Sequence, residues 1–322
     1  MIMHRIIDFL KSWLLPTAMI TGTLIYLVFA FVPALSGAKP FFLGVAQILM
    51  PTAIFLMLFF TFCKINIRDM KPRLWHLETL ALQVVLTLGW MAVIYYFMKP
   101  ASYAELVGEG VLACLMSPTA AAAAVVTGKL GGSAASLTSY TLESNIVSAL
   151  LVTFVCPIIH PIAGLNLLAA FLRVLVRVSF LLVLPFILAM ALKYVMPKVH
   201  ARLAALKDVA FYIWGCSLTM VTGMTMRVVF AYLGHPWLVF SLVVAALLIC
   251  VMKFGLGKAI GSRTGKVDKI SAGQAFGQKN TMFTIWMALS WLSPVAAVAP
   301  GSYVIWQNII NSYQLWKMGK KN

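Results

Sequence analysis

Residues 270–292, ISAGQAFGQKNTMFTIWMALSWL, are long and apolar enough to cross a membrane as a helix, yet Lys279 and its polar neighbours lie at their centre. A second apolar segment, residues 136–159, contains Glu143 as its only charged residue. An ionisable side chain at membrane depth costs several kcal/mol unless it pairs or faces water, and it commonly marks a transport pathway. We therefore expect Lys279 and Glu143 to belong to the functional site.

The composition of the whole chain is that of a membrane protein. Of the 322 residues, 62% are hydrophobic and only 10% are charged, whereas soluble domains carry about 25% charged residues. The mean hydropathy is +0.96. Apolar runs of about 20 residues, enough to cross a hydrocarbon core of roughly 30 Å, recur along the chain. We count ten predicted spans, at residues 14–34, 42–63, 77–98, 107–127, 134–158, 172–195, 208–232, 236–254, 271–292 and 297–316.

The ten predicted spans divide into two halves of five, residues 1–160 and 161–322, with no separate soluble domain. Because five is odd, the second half would cross the membrane in the opposite direction to the first. Such inverted repeats are common among secondary transporters. Each half carries polar or helix-breaking residues in its fourth span, at 117–119 and at 278–281. Paired interruptions of this kind indicate a binding site near the middle of the bilayer.

The polar residues of four spans lie at a similar depth. With a rise of 1.5 Å per residue, those in spans four, five, nine and ten lie roughly 12–15 Å from the inner ends of their helices. We therefore predict a substrate or ion pathway lined by Ser117, Pro118, Thr119, Thr141, Glu143, Gln278, Lys279, Asn280, Thr281, Gln307 and Asn308.

Structural explanations exist for the three most distinctive of these residues. One alternative interpretation of Pro118 is a helix kink without a function, since membrane helices tolerate proline. For Glu143 the alternative is a neutral carboxyl group that is hydrogen-bonded to Ser139 or Ser144. For Lys279 the alternative is a side chain that extends along a cavity wall. The functional interpretation is that Glu143 and Lys279 form an ion pair or a proton-linked couple.

Three arginines lie near the predicted outer surface. Arg173 and Arg177 are four residues apart, hence on one helix face, and we expect both to extend to the outer interface. Arg227 lies roughly 7 Å deep in span seven. It would either contact an anionic substrate that enters from outside or reach the lipid head groups.

The net charge of +17 does not require a nucleic-acid partner, because the basic residues are concentrated on one side of the predicted membrane. Of the 25 basic residues, 19 fall in inner segments when the chain starts in the cytoplasm. They are Arg5, Lys11, Lys64, Arg68, Lys71, Arg73, Lys129, Lys193, Lys198, Arg202, Lys207, Lys253, Lys258, Arg263, Lys266, Lys269, Lys317, Lys320 and Lys321. The outer loops hold only Lys39 and Lys99. This positive-inside bias predicts a multi-pass protein of the cell (inner) membrane with both termini cytoplasmic. The basic excess also favours contact with anionic lipid heads.

The sequence carries no signature of an enzyme or a metalloprotein. The five cysteines lie in apolar spans without C-x-x-C spacing, and the histidines form no ligand cluster. We find no nucleophile elbow, phosphate-binding loop or zinc-protease helix. We therefore predict no catalytic residues, no metal site and no cofactor.

Two stretches of the sequence are similar to motifs of a known transporter family. Residues 48–51 (ILMP) and 67–71 (IRDMK) look like a second span and its basic loop, and residues 300–308 (PGSYVIWQN) look like a tenth span that often reads P-G-x-x-x-x-W-H-N. On these motifs the chain resembles the bile acid:sodium symporter family, within the bile, arsenite and riboflavin transporter group. The resemblance covers essentially the whole chain. It implies an all-α fold of ten transmembrane helices, with crossed and interrupted helices 4 and 9.

The resemblance also implies where the family binds sodium, and this chain departs there. The family's E-x-G-x-Q-N motif reads AFGQKN at residues 275–280, and its P-G-G-T-A-S-N motif reads PTAAAAA at residues 118–124. In span five only Thr141 of a serine–threonine pair is kept. The sodium ligands that the resemblance implies are thus absent at Ala123, Ala124, Leu137 and Ala275. A bound cation needs several oxygen ligands, so we do not expect sodium coupling. Lys279 would supply a fixed positive charge there, and Glu143 a titratable group.

The resemblance implies a secondary active transporter or facilitator of an organic anion, either bile-acid-like or a small carboxylate. Transport would alternate access between a four-span panel and a six-span core, and coupling to protons stays open. An alternative is a cation/proton antiporter of related fold, which residues 117–120 and 143–145 also resemble, although the usual aspartate pair is absent. A receptor or scaffold would leave the paired interruptions unexplained. The oligomeric state stays open.

Overall fold

The computed structural model describes residues 14–64, 71–161, 163–206 and 209–319, and these residues fold into helices without a β-strand. In chain order the α-helices of the described ranges are α1 (Leu14–Phe31), α2 (Lys39–Phe62), α3 (Leu74–Phe97), α4 (Tyr103–Met116), α5 (Ala123–Lys129), α6 (Ala134–Ile159), α7 (Leu167–Leu182), α8 (Leu184–Val195), α9 (Pro197–Ala204), α10 (Val209–Ala231), α11 (Pro236–Gly261), α12 (Lys266–Gly277), α13 (Thr281–Trp291) and α14 (Val298–Gly319). Two 3₁₀ turns, Pro33–Ala38 and Pro294–Ala297, precede α2 and α14.

Several helices have the length and composition of membrane spans. Within the described ranges, four helices qualify: Pro40–Phe62 in α2, and the whole of α3, α6 and α11. The pair α7 and α8 makes a fifth if it is counted as one span, with a bend of 47°. The bend lies where Pro185, in the first turn of α8, cannot donate a backbone hydrogen bond. Each of the ten predicted spans falls on one described helix or on a consecutive pair.

The interruptions predicted in spans four and nine lie side by side. One separates α4 from α5 and the other separates α12 from α13. Between them, the N–H of Ala120 donates to the carbonyl of Gln278 (3.0 Å), and the N–H of Asn280 donates to the carbonyl of Pro118 (2.8 Å). These bonds form a short antiparallel bridge. They satisfy backbone groups that the breaks leave free, which is required at membrane depth. We call residues 117–120 and 278–280 the crossing.

Local sequence explains where the helices stop and restart at the crossing. Pro118 has no N–H and would clash with the preceding turn, so α4 cannot continue through it. Asn280 caps the start of α13, because its Oδ1 accepts the N–H of Phe283 at 3.2 Å. Thr119 fixes the first break against the second half of the chain, since its Oγ1 donates to the carbonyl of Ala275 at 2.7 Å.

The helices pack in two groups. Helices α1, α2, α8 and α10 contact one another and form what we call the panel, whereas α3–α6 and α11–α14 pack around the crossing and form the core. Within the core, α11 and α12 approach closely through Gly257 and Gly261, which lie four residues apart on one face of α11. These glycines contact the backbone of α12 at Ala272 and Asp268. Small residues at this spacing let two membrane helices touch backbone to backbone.

Two ion pairs tie the connection between α11 and α12 to the start of α3. Arg73 Nη1 lies 2.7 Å from Asp268 Oδ1, and Arg263 Nη1 lies 3.4 Å from Glu78 Oε1. We call this side of the molecule the basic end. Of the basic residues predicted to lie inside, Arg5, Lys11, Arg68, Lys207, Lys320 and Lys321 fall outside the described residues.

Candidate functional site

A cavity of about 490 Å³ lies beside the crossing, between the panel and the core. Its panel wall is apolar and includes Met57, Leu218 and Val221, and the alanine run after the crossing forms much of the core wall. Thr61, in the last turn of α2, and Lys64, just beyond the end of that helix, also line the cavity. The cavity therefore combines an apolar body with a polar end at the crossing.

Six of the predicted pathway residues line this cavity: Gln278, Lys279, Asn280, Thr281, Gln307 and Asn308. Ser117, Pro118 and Thr119 are buried within the crossing itself. Thr141 and Glu143 lie on α6 and do not line the cavity. Thr141 is buried, and its hydroxyl donates to the carbonyl of Leu137 at 2.9 Å.

Lys279 is held at the polar end of the cavity by contacts from three elements. Its backbone N–H donates to Gln307 Oε1 (2.8 Å), and Gln307 Nε2 donates back to its carbonyl (3.3 Å). Its Nζ donates to Gln83 Oε1 at 3.4 Å and lies 5.1 Å from the centre of the Phe276 ring. The side chain is only 1% exposed. Among the described residues no carboxylate forms an ion pair with this ammonium group.

Two amides beside Lys279 leave hydrogen-bonding atoms without a partner among the described residues. They are Gln278 Oε1, an acceptor, and Asn280 Nδ2, a donor. Both side chains are buried, and both line the cavity. Leaving a buried polar atom unpaired costs about 1–3 kcal/mol. A ligand that supplies these hydrogen bonds would recover that cost.

Gln83 on α3 joins the site, although the sequence analysis did not identify it. Its Nε2 donates to Ser148 Oγ at 3.1 Å and approaches the carbonyls of Met116 and Ser117 at 3.4 Å. Its Oε1 accepts from Lys279, so it connects the end of α4 with the cavity. A single amide inside the apolar span 77–98 is the signal that could have identified it.

The predicted ion pair between Glu143 and Lys279 is not present in the structure. The Glu143 carboxylate instead faces His76 Nδ1 at 3.1 Å and 3.2 Å, and His76 Nε2 lies 2.9 Å from Ser136 Oγ. The carboxylate side chain is 32% exposed, whereas Lys279 is buried. Helical rise places two residues at one depth, but the rotation of each helix decides which neighbour its side chain meets.

The four positions at which the resemblance implied lost sodium ligands come together in space. Ala123, Leu137 and Ala275 are buried in one apolar cluster that also contains Trp75, Tyr140 and Ala272, and Ala124 packs against it. The alanine and leucine side chains at these four positions offer no oxygen ligand for a cation.

Lys253 was wrongly assigned to an inner segment. Because α11 continues to Gly261, Lys253 lies well inside the helix, and its side chain is 0% exposed. Its Nζ donates to the carbonyls of Cys114 (2.8 Å) and Leu115 (3.0 Å), in the last turn of α4. The predicted span 236–254 ends next to Lys253, whereas the helix continues to Gly261.

The three arginines predicted near the outer surface lie away from the cavity. Arg227 is exposed on α10 and does not line it. Arg173 and Arg177 are exposed on α7.

A buried carboxylate, Glu109 on α4, forms a second polar cluster that the sequence analysis missed. Its oxygens accept from Ser293 N–H (2.6 Å) and Ser293 Oγ (3.0 Å), and His160 Nε2 lies 3.0 Å away. The cluster joins α4, the end of α6 and the connection between α13 and α14. The hydrogen bond with Glu109 raises the pKa of His160 above its ordinary value, against the opposing effect of burial.

This cluster predicts a pH-dependent stability. Because the folded-state pKa of His160 is raised, its stabilising contribution is complete below its ordinary pKa of about 6.5 and is lost as the pH rises through the raised value. We expect Tm to fall over that window in the wild type and to fall less in His160→Gln. Thermal unfolding of the detergent-solubilised protein at closely spaced pH values measures this. His235→Gln, at an exposed histidine, is the control, and equal pH slopes in His160→Gln and the wild type would contradict the prediction.

Comparison with known proteins gives one family match. The sequence model of the sodium bile acid symporter family matches residues 51–232, which is more than half of the chain. The matched range contains α3–α10 and the first break of the crossing, whereas the break at Lys279 lies beyond it. No individual curated protein gives a match.

Proposed function

Since the chain belongs to the sodium bile acid symporter family, we propose that it is a secondary transporter for an organic anion that works without sodium. The observation that carries this proposal is the ammonium group of Lys279, which is buried at the cavity without a carboxylate partner among the described residues. Burying an uncompensated charge is costly. An anionic group of the substrate would supply the missing counter-charge.

The cavity supports a substrate with an apolar body and one anionic end. Small-molecule sites typically measure about 300–1,000 Å³ and are lined mainly by apolar side chains with a few polar groups. This cavity has that size and that lining. Asn280 Nδ2 would add a hydrogen bond to the anionic group beside Lys279. A bile-acid-like molecule or a smaller carboxylate fits this chemistry.

The helices support a ten-span arrangement in two inverted repeats, residues 1–160 and 161–322. In each half the fourth predicted span is interrupted, and the two interruptions pair. In this arrangement the basic end faces the cytoplasm together with both termini, and the panel and core move relative to each other. Lys99 and Lys129 are both exposed and would lie on opposite sides. In a variant without native cysteines, an impermeant thiol reagent applied to intact cells should label Lys99→Cys and spare Lys129→Cys; the reverse pattern would overturn this topology.

The apolar cluster around Ala123 and Ala275 predicts uptake that does not depend on sodium. The measurement uses purified protein in liposomes, with counterflow of labelled bile acids, hydroxy acids and keto acids. Replacing sodium by choline at fixed pH should leave the uptake rate unchanged, because the alanine and leucine side chains at the positions of the implied sodium ligands supply no oxygen. Protein-free liposomes are the control. A requirement for millimolar sodium would contradict this prediction, and no uptake of any carboxylate would contradict the proposed substrate class.

Cation/proton antiport is disfavoured by the charges at the crossing. Lys253 and Lys279 both bring ammonium groups to the ring of Phe276, at 5.3 Å and 5.1 Å from its centre. A cationic substrate beside them would be repelled. If anion transport is coupled to protons, we expect the pair formed by Glu143 and His76 to carry the proton. Uptake driven by an imposed pH gradient, measured in liposomes that contain the Glu143→Gln variant, would test this coupling.

A further inference from the structure

The C-terminal end of α4 has its carbonyl groups covered by two side chains. In an α-helix the last four carbonyls have no partner within the helix, and they carry a partial negative charge. Here Lys253 Nζ donates to the carbonyl oxygens of Cys114 and Leu115, and Gln83 Nε2 approaches those of Met116 and Ser117. Every carbonyl from residue 114 to residue 117 therefore has a donor. Lys253 brings the only full charge among these donors.

The surroundings of the Lys253 ammonium group are those of a site for a monovalent cation. Two carbonyl oxygens lie within 3.0 Å of Nζ, and the centre of the Phe276 ring lies 5.3 Å away. An aromatic face attracts a cation electrostatically. Among the described residues no carboxylate forms an ion pair with Lys253, and its side chain is 0% exposed. The helix end and the ring, and not an acid, hold this charge in place.

We propose that Lys253 is a tethered cation: its ammonium group occupies the position at which the interrupted helix α4 would otherwise recruit a mobile monovalent cation. The end of α4 is then capped by a side chain of the protein itself, whatever ions are present. This inference deepens the proposed sodium-independent transport and rests on it. It assigns that independence to a residue on α11, outside the crossing and outside the cavity lining.

The same contacts make Lys253 a positioning residue for the substrate site. Gln83 is shared, because its Nε2 covers the end of α4 while its Oε1 accepts from Lys279 Nζ. The Phe276 ring is shared as well, since both ammonium groups lie against it. A fixed end of α4 thus holds Gln83, and Gln83 orients the lysine that lines the cavity.

The test removes the ammonium group of Lys253 and supplies a free cation in its place. Lys253→Ala removes the ammonium group and leaves space, so uptake in choline medium should fall about tenfold, the size typical of a partly buried charge at a helix C-terminus. Methylammonium, ammonium, potassium and sodium are then added singly. At least one should restore uptake and raise Tm with increasing concentration, because binding to the folded state stabilises it by mass action. The wild type should respond to none of them.

Three variants distinguish a missing charge from missing volume. Lys253→Met fills the space without a charge, so it should lose uptake and gain nothing from any cation. Lys253→Gln can still donate to one carbonyl, so its uptake should lie between that of the wild type and that of Lys253→Met. It is also the variant to use if Lys253→Ala does not fold. Lys258→Ala, at a half-buried lysine of the same helix, should show no cation dependence.

Two results would overturn the proposal. One is wild-type uptake by Lys253→Ala in choline medium, and the other is a folded Lys253→Ala whose uptake and Tm respond to no cation. The Tm readout needs no transport, so it separates this inference from the proposed function. Sodium-dependent uptake by the wild type, combined with a cation-dependent Tm in Lys253→Ala, would contradict the proposed sodium-independent transport but would still support a cation site at the end of α4.

Discussion

Replacing Lys279 with methionine is expected to lower anion uptake about 100-fold while the protein stays folded, because truncating one partner of a buried, hydrogen-bonded charge pair costs about 2–5 kcal/mol. The partner here is the anionic group of the substrate. Lys279 lines the cavity, and among the described residues its ammonium group donates one hydrogen bond, to Gln83. Among the described residues that line the cavity, the other charged residue is Lys64, which lies just beyond the end of α2.

The same substitution should leave Tm unchanged or raise it. In the empty protein the Lys279 ammonium group is buried without a carboxylate partner among the described residues. Replacing buried ionic groups by apolar side chains of similar volume is often neutral or stabilising. Opposite effects on uptake and on stability are the signature of a residue that serves the substrate and not the fold.

Uptake into liposomes and thermal unfolding in detergent, on the same preparations, measure the two effects. Lys279→Arg keeps the charge and should retain more uptake than Lys279→Met. Lys64→Met is the matched control, since Lys64 also lines the cavity but is exposed at the end of α2. Near-normal uptake by Lys279→Met, or an equal loss in Lys64→Met, would show that Lys279 does not bind the anion.

The sequence predicts the crossing well because its signals are local. Pro118 and the polar run at Gln278–Asn280 interrupt apolar segments, and the structure breaks the helices at both places. The helical rise also predicts that the polar residues of these spans lie at similar distances from their helix ends. Six of the pathway residues that were predicted in this way line the cavity.

Partners across helices are not predictable in this way. Glu143 meets His76 and not Lys279, because the rotation and packing of α3 and α6 decide the contact. Lys253 and Glu109 were missed for a related reason. Each lies near the end of an apolar run, where a charged residue is expected to reach water. Only the packing of neighbouring helices buries them.

The close contact between α11 and α12 makes Gly257 a position at which substitution should be strongly destabilising. A β-carbon at Gly257 would overlap the carbonyl oxygen of Ala272. This obstacle is backbone, which cannot rotate away as a side chain can. Gly257→Leu would therefore have to separate the two helices, and overpacking of this kind costs about 1–3 kcal/mol or more.

The damage should extend beyond the local contact. Helix α11 carries Lys253, and α12 carries Phe276 and leads directly into the crossing. Separating them would move the ammonium group of Lys253 away from the end of α4 and would disturb the break that presents Lys279. We therefore expect the Gly257→Leu variant to give little folded protein and no measurable uptake.

Gly255 provides the matched control on the same helix. It is exposed, and a β-carbon there would meet nothing within 4 Å. Gly255→Leu should even gain stability, because leucine has a higher helix propensity than glycine, by somewhat less than the about 0.8–1.0 kcal/mol that separates glycine from alanine. Size-exclusion chromatography and Tm in detergent compare the two variants. If both glycines tolerate leucine equally, then α11 and α12 do not touch as the structure has them, and the buried position of Lys253 would lose its basis.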